Sequence, residues 1–317
     1  MNKVISSNNT IINTKIKKEC KVLLSAYNGE KFIKEQIDSI INQNGVDVRL
    51  VIRDDGSTDR TVSIIEGLQT IYPNCIELKK GNNVGIHRSF RELFLETDSS
   101  DYIAFADQDD CWDNNKLIVA ISSMEKYNCD FYSCSARLVN ENMEMIGDTN
   151  CNKAKYSYYM RGNSKLLTPG AQGCTIVLSK KAWEILKNRN YPDYYGHDTW
   201  LTVASYYLFD CLYDTTSYMS YRQHNNSATG NRTHKVKQFL IRIKQYSNGL
   251  SRYKQLANDI ISSFSIDLSN DDMKVINAIW ANETRMIDRI RNIKKYRFGK
   301  YGFLENWIYH LYYISGK

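Results

Sequence analysis

The sequence predicts an α/β fold with a mainly parallel sheet flanked by helices. Between residues 19 and 139, short apolar segments of strand-like composition alternate with longer segments in which apolar residues recur at helical spacing. Strands separated by helices of this length are typical of right-handed β-α-β units, whose strands pair in parallel. From residue 235 onward the pattern is helical without strand signals, so we expect a C-terminal helical extension.

The predicted elements follow one another in a regular order. In the first helix Ile33, Ile37 and Ile40 fall on one face, which is expected to be buried against the sheet. Asp59 is a suitable N-cap for the second helix. The expected strands are 21–26, 49–53, 75–79, 101–107, 130–139, 173–178 and 214–222, and the expected helices are 30–42, 59–71, 87–96, 113–127, 180–188 and 197–208, with loops at 141–171 and 225–234.

The charge of the chain is unevenly distributed. The 317 residues carry a net charge of +7. Residues 235–317 contain 15 Lys and Arg against 7 Asp and Glu, a net charge of +8, which leaves residues 1–234 at −1. We therefore divide the chain into a polar tail at 1–18, expected to be disordered, a main α/β domain at 19–234, and a basic, aromatic helical region at 235–317.

Hydropathy and cysteine content indicate the cellular location of the protein and the state of its cysteines. No apolar segment is long enough to span a bilayer, and the polar start lacks the apolar core of a signal peptide, so we expect a cytoplasmic protein. The eight cysteines have neither CxxC nor Cys/His metal spacing, which favours reduced thiols packed in the interior.

Acidic side chains follow two of the predicted strands at the point where each strand ends. Asp54 and Asp55 end one strand, and Asp107, Asp109 and Asp110 end another. Because crowded carboxylates repel one another unless a cation neutralises them, the second group predicts a hard metal ion bound through oxygen. The carboxyl ends of parallel strands meet at one edge of a sheet, where α/β folds bind ligands. The predicted ligand is a nucleotide that carries a metal-bound diphosphate.

Several sequence motifs occur in an order that resembles one family. They are Ser25-Ala26-Tyr27-Asn28-Gly29-Glu30, Arg53-Asp54-Asp55-Gly56-Ser57-Thr58-Asp59, Gly81-Asn82-Asn83-Val84-Gly85-Ile86-His87-Arg88, Asp107-Gln108-Asp109-Asp110, Gly196-His197-Asp198 and Tyr221-Arg222-Gln223-His224. Over residues 20–230 the chain is similar to the family-2 glycosyltransferases, which have the GT-A nucleotide-diphospho-sugar transferase fold. The resemblance implies a nucleotide-sugar site in which Asp55 accepts a hydrogen bond from the pyrimidine N3–H. The other nucleotide-sugar contacts that it implies are Ala26, Tyr27, Asn28, Glu30, Asn83, Gly85, Arg88, Asp107, Gln108 and Arg222.

The same resemblance implies a metal site and a general base. Asp107 and Asp109 match the DxD motif of the family and would hold Mg²⁺ or Mn²⁺ against the diphosphate, with His224 as a third ligand. Asp198 matches an acidic residue at the start of a helix, and it is the candidate general base that takes the proton of the acceptor hydroxyl. His197 stands where the family usually has glutamate.

The same residues also occur in other classes of protein. Arg53 occupies the position at which the DxDGS/T motif of phosphohydrolases needs its aspartyl nucleophile, and Trp112 occupies the turn-glycine position of an EF-hand calcium loop. Neither class therefore fits. Three local alternatives stay open: Asp198 as a helix N-cap, the aspartates of 107–110 as solvated loop acids, and His224 as a surface histidine.

The form of the motifs most resembles bacterial rhamnosyltransferases of surface polysaccharide assembly. We therefore expect a metal-dependent inverting glycosyltransferase that moves L-rhamnose from dTDP-L-rhamnose to a hydroxyl of a surface glycan or a lipid-linked saccharide. The alternatives are a transferase that uses UDP-glucose or UDP-galactose, and a catalytically silent protein that binds nucleotide-sugars or glycans.

The basic C-terminal region carries aromatic residues among its cations. Lys294 and Lys295 precede Tyr296, and Trp307 opens an aromatic, apolar end. This composition is typical of a helix that contacts an anionic membrane surface, and a solvated face or a dimer interface explains it as well. Nothing in the chain resembles a nucleic-acid recognition module, so no nucleic-acid partner is expected.

Overall fold

The computed structural model describes residues 17–148, 158–160, 171–224, 254–280 and 286–296. The strands are β1 (Glu19–Ala26), β2 (Asp47–Asp54), β3 (Ile76–Lys80), β4 (Tyr102–Ala106), β5 (Cys111–Trp112), β6 (Phe131–Val139), β7 (Met145–Asp148), β8 (Tyr158–Met160), β9 (Ile176–Ser179) and β10 (Cys211–Arg222). The helices are α1 (Ile33–Ile41), α2 (Thr61–Ile71), α3 (Ile86–Glu96), α4 (Lys116–Tyr127), α5 (Lys180–Lys187), α6 (His197–Leu208), α7 (254–264), α8 (Asn270–Trp280) and α9 (Met286–Tyr296).

The ten strands of the described chain form one mixed sheet. Its order is β3-β2-β1-β4-β9-β6-β10-β5, with β7 paired to β6 and β8 paired to β10. Strands β3, β2, β1 and β4 are parallel to one another, whereas β9 runs antiparallel to both β4 and β6. Strand β10 is parallel to β6. The carboxyl ends of β1, β2, β4, β6 and β10 therefore lie at the same edge of the sheet.

The strand order reverses between β1 and β4. Strands β2 and β3 extend the sheet on one side of β1, and β4 lies on its other side. In open α/β sheets, ligands bind in the crevice outside the carboxyl ends of the strands at such a switch point. Tyr27, which follows β1, and Asp107, which follows β4, lie next to this point.

Strand β1 separates two hydrophobic cores. Leu23 belongs to one core, whereas Val22 and Leu24 belong to the other, and none of the three is exposed. Alternation between two buried faces is expected of a central strand in a sheet covered by helices on both sides. Phe90 of α3 and Trp200 of α6 lie in the first core, and residues of α1, α2 and α4 lie in the second.

The loop prediction for residues 141–171 was wrong in part. Strands β7 and β8 lie in this segment and pair with β6 and β10. Strand β5 was missed as well. Its two residues, Cys111 and Trp112, pair with Ser220 and Met219 of β10, so a contact with a distant part of the chain determines this strand and no local pattern marks it.

The described part of the C-terminal region packs against the rest of the chain. Leu256, Ile260 and Phe264 recur at helical spacing on α7, and they are buried in the core that also contains Trp200. The helical prediction for this region agrees with α7, α8 and α9. The extension therefore shares a core with the sheet instead of standing apart from it.

Some predicted features lie outside the described residues. They include residues 1–16 of the polar tail, the basic residues between 235 and 253, and the aromatic end at 307–314. The proposed domain boundaries at 18/19 and 234/235 stay predictions. Among the helices that the structure describes, none is both long and apolar enough to cross a membrane.

Candidate active site

The acidic turn, residues 107–110, follows β4 at the switch point. All five residues of β4 are buried. Asp110 turns back into the protein and is fully buried. Its Oδ1 accepts a hydrogen bond from the backbone N–H of Arg222 at 3.1 Å, whereas its Oδ2 is buried without a hydrogen-bond partner. Because a buried carboxylate oxygen without a partner is costly, this oxygen is a candidate cation ligand.

Asp107, Asp110 and Cys174 form a cluster of candidate metal ligands, in which one ligand atom of each lies within 4.8 Å of the others. Burial, together with the charges of Asp109 and Asp198, raises the pKa of Asp107 to about 7. Burial and the neighbouring aspartates also raise the pKa of Asp110 well above its usual range. A divalent cation offsets such repulsion, so these residues fit the metal that the resemblance implies. Mg²⁺ and Mn²⁺ prefer oxygen, so the two carboxylates suit them better than the thiol.

The other two predicted metal ligands, Asp109 and His224, are in contact. Asp109 Oδ2 lies 2.7 Å from His224 Nε2. The His224 ring also packs near the ring of Phe32, with 5.3 Å between the centroids. The structure therefore brings His224 to the acidic turn, which contains Asp107 and Asp109. Coordination of a metal by these three residues stays a prediction.

Arg222 is buried at the end of β10, and its guanidinium is bound by other groups of the protein. Its Nε donates to the carbonyl of Asp109 at 2.8 Å and its Nη1 donates to the carbonyl of Glu141 at 2.7 Å. Its Nη2 pairs with Glu35 Oε2 at 2.5 Å, and the guanidinium lies 4.4 Å from the centre of the Phe32 ring. Arg222 thus fastens β10 to the acidic turn. Its predicted contact with a nucleotide-sugar stays a prediction.

The loop after β1 packs on the acidic turn and on the loop after β2. The backbone N–H of Tyr27 donates to Gln108 Oε1 at 2.9 Å, and Gln108 Nε2 donates to the Tyr27 carbonyl at 3.0 Å. Asn28 Oδ1 accepts a hydrogen bond from the backbone N–H of Thr58 at 2.8 Å. Tyr27 is 45% exposed, so its ring is accessible to a ligand at the switch point.

Two further predicted residues at the end of β1 and in the loop that follows it already have protein partners. Ala26 is fully buried, and its carbonyl accepts a hydrogen bond from the backbone N–H of Asp55 at 2.7 Å. Glu30 Oε2 accepts from the backbone N–H and from Nε of Arg60, and these hydrogen bonds lower the pKa of Glu30. Both residues order the loops of the site, and their contacts with a nucleotide-sugar stay predictions.

Asp55 joins the loop after β2 to the glycine loop, residues 81–88. Its Oδ1 accepts a hydrogen bond from the backbone N–H of Val84 at 3.0 Å, and its Oδ2 accepts from Gly85 at 2.9 Å. Arg53 forms an ion pair with the same carboxylate, which is 2% exposed. Asp55 therefore holds the glycine loop in place. The predicted bond from a pyrimidine N3–H would need one of its remaining lone pairs.

The glycine loop carries two more predicted contacts. Asn83 is exposed near its tip. Arg88 Nη2 forms an ion pair with Asp193 Oδ2 at 2.6 Å, which ties the start of α3 to the segment before α6. In this arrangement the guanidinium faces Asp193, and its contact with a nucleotide-sugar stays a prediction.

The candidate base Asp198 is exposed in the first turn of α6. Its Oδ1 accepts a hydrogen bond from the backbone N–H of Thr199 at 2.6 Å. Gly196, and not Asp198, occupies the N-cap position of the helix, although the Asp198 carboxylate accepts one of the free N–H groups of the first turn. A Cβ on Gly196 would lie 2.5 Å from Asp198 Oδ1 and 3.1 Å from the ring of His87. A glycine is therefore needed at this position for both side chains to approach the turn.

His197 points into the interior. Its ring lies 4.0 Å from the Phe90 ring and 5.1 Å from the Phe105 ring, measured between centroids. The ring packs directly on Gly173, because a Cβ at that glycine would lie 2.0 Å from His197 Nε2. This nitrogen is buried without a hydrogen-bond partner. Burial lowers the pKa of His197 to about 4, so the ring is neutral at pH 7. His197 therefore fixes the start of α6 by packing.

Two residues beside the acidic turn were missed by the sequence analysis. Cys174 was expected only as a packed thiol, and no local pattern indicates its position beside two carboxylates. Lys116 is 1% exposed, and burial lowers its pKa to about 8. Its Nζ donates a hydrogen bond to the Cys174 carbonyl at 2.8 Å and lies 3.1 Å from the centre of the Trp112 ring. A signal for Lys116 does exist in the sequence, because it lies four residues before Ala120 on the buried face of α4.

The sequence also matches known proteins. A family model described as "Glycosyl transferase family 2" matches residues 21–186, slightly more than half of the chain. The chain belongs to glycosyl transferase family 2. The predicted family and the predicted enzyme class, a glycosyltransferase, are thereby confirmed.

Two relatives of this family-2 glycosyltransferase are named as glycosyltransferases themselves. The "dTDP-rhamnosyl transferase RfbG" of Shigella flexneri is 32% identical over 219 residues, which are 65% of this chain and 73% of that protein. The "UDP-Glc:alpha-D-GlcNAc-diphosphoundecaprenol beta-1,3-glucosyltransferase WfgD" of Escherichia coli is 27% identical over 248 residues, which are 76% of this chain and 91% of that protein.

Solved structures confirm the predicted GT-A fold of this family-2 glycosyltransferase. S. aureus TarS 1-349 in complex with UDP has a TM-score of 0.58 at 16% identity, and the match covers 93% of this chain and 80% of that chain. The mannosyltransferase PcManGT from Pyrobaculum calidifontis in complex with GDP-Man and Mn²⁺ has a TM-score of 0.53 at 15% identity, covering 95% and 86%. At these identities the likeness concerns the fold.

Proposed function

We propose that this family-2 glycosyltransferase moves a sugar from a nucleoside-diphosphate donor to a hydroxyl, with inversion and with the help of a divalent cation. The observation that carries the proposal is the packing of His197 against Phe105 of β4, with 5.1 Å between the ring centroids, so that the start of α6, which includes Asp198, lies beside the strand that leads into the acidic turn. A candidate base and a candidate metal site therefore share one edge of the sheet. In the inverting transfer proposed, the base acts on the attacking hydroxyl and the cation stabilises the leaving diphosphate, so both belong beside the bond that breaks.

The residues have separate tasks in this proposal. Asp198 takes the proton of the acceptor hydroxyl while the hydroxyl oxygen attacks the anomeric carbon. The bond between that carbon and the diphosphate breaks, and the nucleoside diphosphate leaves. Asp107, Asp109 and His224 would hold Mg²⁺ or Mn²⁺, which supplies positive charge against the negative charge that develops on the leaving group. Tyr27 lies at the switch point, where its exposed ring would contact the nucleotide.

We propose dTDP-L-rhamnose as the donor and a surface glycan or a lipid-linked saccharide as the acceptor. The relative RfbG, named as a dTDP-rhamnosyl transferase, and the form of the motifs support this donor. The relative WfgD, named as a UDP-Glc-dependent transferase, supports UDP-glucose as the alternative, with UDP-galactose beside it. A catalytically silent binding protein is the remaining alternative.

Thermal unfolding with a panel of nucleotide-sugars tests the donor. We expect dTDP-L-rhamnose to raise Tm more than UDP-glucose or UDP-galactose, and to do so only with Mg²⁺ or Mn²⁺ present. A ligand that binds only the native state stabilises it by about 2.7 kcal/mol at 100 times its Kd. Stabilisation by a UDP-sugar alone would favour the alternative donor. Stabilisation without release of nucleoside diphosphate from any donor would favour the silent binding protein.

We also propose that the basic C-terminal region contacts an anionic membrane surface close to a lipid-linked acceptor. The net charge of +8 in residues 235–317 supports this contact, since each basic residue near such a surface contributes about 1 kcal/mol. Salt should weaken the contact by screening it.

Co-sedimentation with vesicles tests the membrane contact. Full-length protein should bind anionic vesicles at low salt, and reversing the charges of Lys294, Lys295, Arg297 and Lys300 to Glu should weaken that binding. The whole chain is needed because Leu256 and Phe264 belong to the core, so a truncation before α7 would expose that core. Equal sedimentation of both proteins would speak against the membrane contact and favour a dimer interface instead. A changed oligomeric state of the charge-reversed protein would also favour a dimer interface.

A further inference from the structure

Aromatic stacking holds the segment that leads to Asp198. The ring of Trp200, in the first turn of α6, is stacked between the rings of Tyr191 and Tyr195. The centroids are 5.7 and 5.6 Å from that of Trp200, and the interplanar angles are 17° and 11°. All three rings are buried. The turn that carries Asp198 therefore connects two members of one stack.

Helix α7 of the C-terminal region contacts the same part of the chain. Phe264 packs against Trp200, with 5.7 Å between the ring centroids. Asp259 Oδ2 accepts hydrogen bonds from the hydroxyl of Tyr194 at 2.7 Å and from the hydroxyl of Tyr195 at 2.9 Å. One carboxylate of α7 thus binds the two residues that immediately precede the Gly196-His197-Asp198 motif.

A second contact joins the same two parts of the chain. Arg189 Nε and Nη2 donate to the two carboxylate oxygens of Asp267 at 2.7 and 2.9 Å. Such a bidentate pair fixes direction as well as distance. The region after β10 therefore contacts both ends of the segment 189–195, which leads into α6.

Burial explains only one of the two hydrogen bonds of Asp259, because Tyr195 is 1% exposed whereas Tyr194 is not buried. Tyr194 is 48% exposed, and its hydroxyl would be hydrated if the hydrogen bond to Asp259 broke. An exposed hydrogen bond of this kind adds little to the net stability of the fold. It does fix the path of the backbone at residues 194 and 195, just before the candidate base.

We propose that Asp259 is a positioning residue for sugar transfer: through Tyr194 and Tyr195 it orients the turn 194–198 so that the Asp198 carboxylate faces the acidic turn. The inference rests on the proposed function, because it takes Asp198 as the base. In this proposal, helix α7 of the C-terminal region helps to position the candidate base.

Hydrogen exchange of the full-length protein tests the structural step without any ligand. Exchange in residues 194–205 should be about five times faster or more in Asp259→Ala, because the turn loses its shared acceptor. Asp259→Asn keeps a carbonyl oxygen that can accept both hydroxyls, so it should keep slow exchange. Asp271→Ala is the matched control, since Asp271 is an exposed aspartate of α8 paired only locally with Lys274 in the contacts described.

Turnover tests the catalytic step. It is measured as release of nucleoside diphosphate from dTDP-L-rhamnose, or from UDP-glucose if that donor stabilises the protein instead, with water taking the place of the acceptor hydroxyl and receiving the sugar. In Asp259→Ala we expect kcat to fall by about tenfold to a hundredfold, the usual effect of a small misplacement of a reacting group. KM for the donor should stay within about twofold, because the donor contacts lie on other loops, and Asp259→Asn should restore most of kcat.

The possible failures can be told apart. Unchanged hydrogen exchange in Asp259→Ala overturns the positioning role, whatever the turnover. Faster exchange with wild-type kcat overturns it as well. Full turnover in Asp198→Asn overturns the assignment of the base in the proposed function, and the positioning role falls with it. Loss of kcat in Asp259→Ala, with rescue by Asp259→Asn and faster exchange only in the alanine variant, supports the inference.

Discussion

Gln108 and Tyr27 join the two loops at the switch point through a reciprocal pair of hydrogen bonds. The Tyr27 N–H donates to Gln108 Oε1 at 2.9 Å, and Gln108 Nε2 donates back to the Tyr27 carbonyl at 3.0 Å. One residue follows β1 and the other follows β4, so the pair lies where an α/β sheet binds its ligand. The approach depends on Gly29, because a Cβ there would lie 2.3 Å from Gln108 Oε1.

The Gly29→Ala variant should therefore bind the donor more weakly without losing its fold. The new methyl group displaces the flexible end of Gln108 and breaks the pair with Tyr27. We expect Kd for the donor to rise about tenfold, as the loss of about one hydrogen bond implies, and stability to change by less than about 1 kcal/mol. Calorimetric titration measures the affinity. Gly67→Ala is the control, since a Cβ at Gly67 meets no atom within 4 Å. Equal affinity in both variants would show that the pair does not shape the donor site.

Asp109→Asn should lose metal-dependent donor binding while the fold stays intact. The amide keeps the shape of the side chain but removes the charge that holds a divalent cation. EDTA should have the same effect on the wild-type protein. The metal-dependent rise in Tm with donor measures the loss, and Asp47→Asn, an exposed aspartate at the start of β2, is the control. A variant with the metal dependence of the wild type would remove Asp109 from the metal site.

Asp198→Asn should bind donor and metal normally and lose turnover. Loss of a positioned base typically costs about two to four orders of magnitude in rate. Release of nucleoside diphosphate gives kcat, and thermal unfolding with donor gives binding. Asp101→Asn is a suitable control, because Asp101 is exposed directly before β4, at the opposite edge of the sheet. If Asp198→Asn lost donor binding and kept its rate, Asp198 would be a structural residue.

The contribution of His197 to the stability of the protein should fall as the pH is lowered from 6.5 to 4. Its pKa is lowered from 6.5 to about 4 by burial between Phe90 and Phe105. In this pH window the unfolded chain binds a proton at His197 and the folded chain does not, so protonation favours unfolding.

His197→Leu removes this contribution. Between pH 6.5 and 4 the free energy of unfolding of the wild type should fall by about 3 kcal/mol more than that of the variant. Urea unfolding in EDTA at both pH values measures the difference, and the carboxylates that do not interact with His197 cancel in it. Parallel pH profiles for the two proteins would show that His197 does not titrate across folding.

Local residue spacing was enough to predict much of the fold. Ile33, Ile37 and Ile40 recur at helical spacing, and all three are fully buried on α1. The acidic ends of β2 and β4 were predicted to meet at one edge, because parallel strands place their carboxyl ends together. Motif order was enough to predict the family, which the family model over residues 21–186 confirms.

Only the tertiary structure decided which partners these side chains have. Asp55 holds Val84 and Gly85, Arg222 reaches Glu35 across 187 positions of the chain, and neither contact has a local signature. The edge strands β5, β7 and β8 depend in the same way on pairing with β10 and β6.

The physical reason is the range over which each kind of information acts. Periodicity depends on neighbours three or four residues away, or two in a strand, so the sequence itself determined the helices, the central strands and the edge at which they end. A contact such as that between Lys116 and the Cys174 carbonyl, 58 positions apart, depends on the register of several strands and the packing of a helix at once. The tertiary structure alone therefore placed a buried cation and a thiol beside the acidic turn.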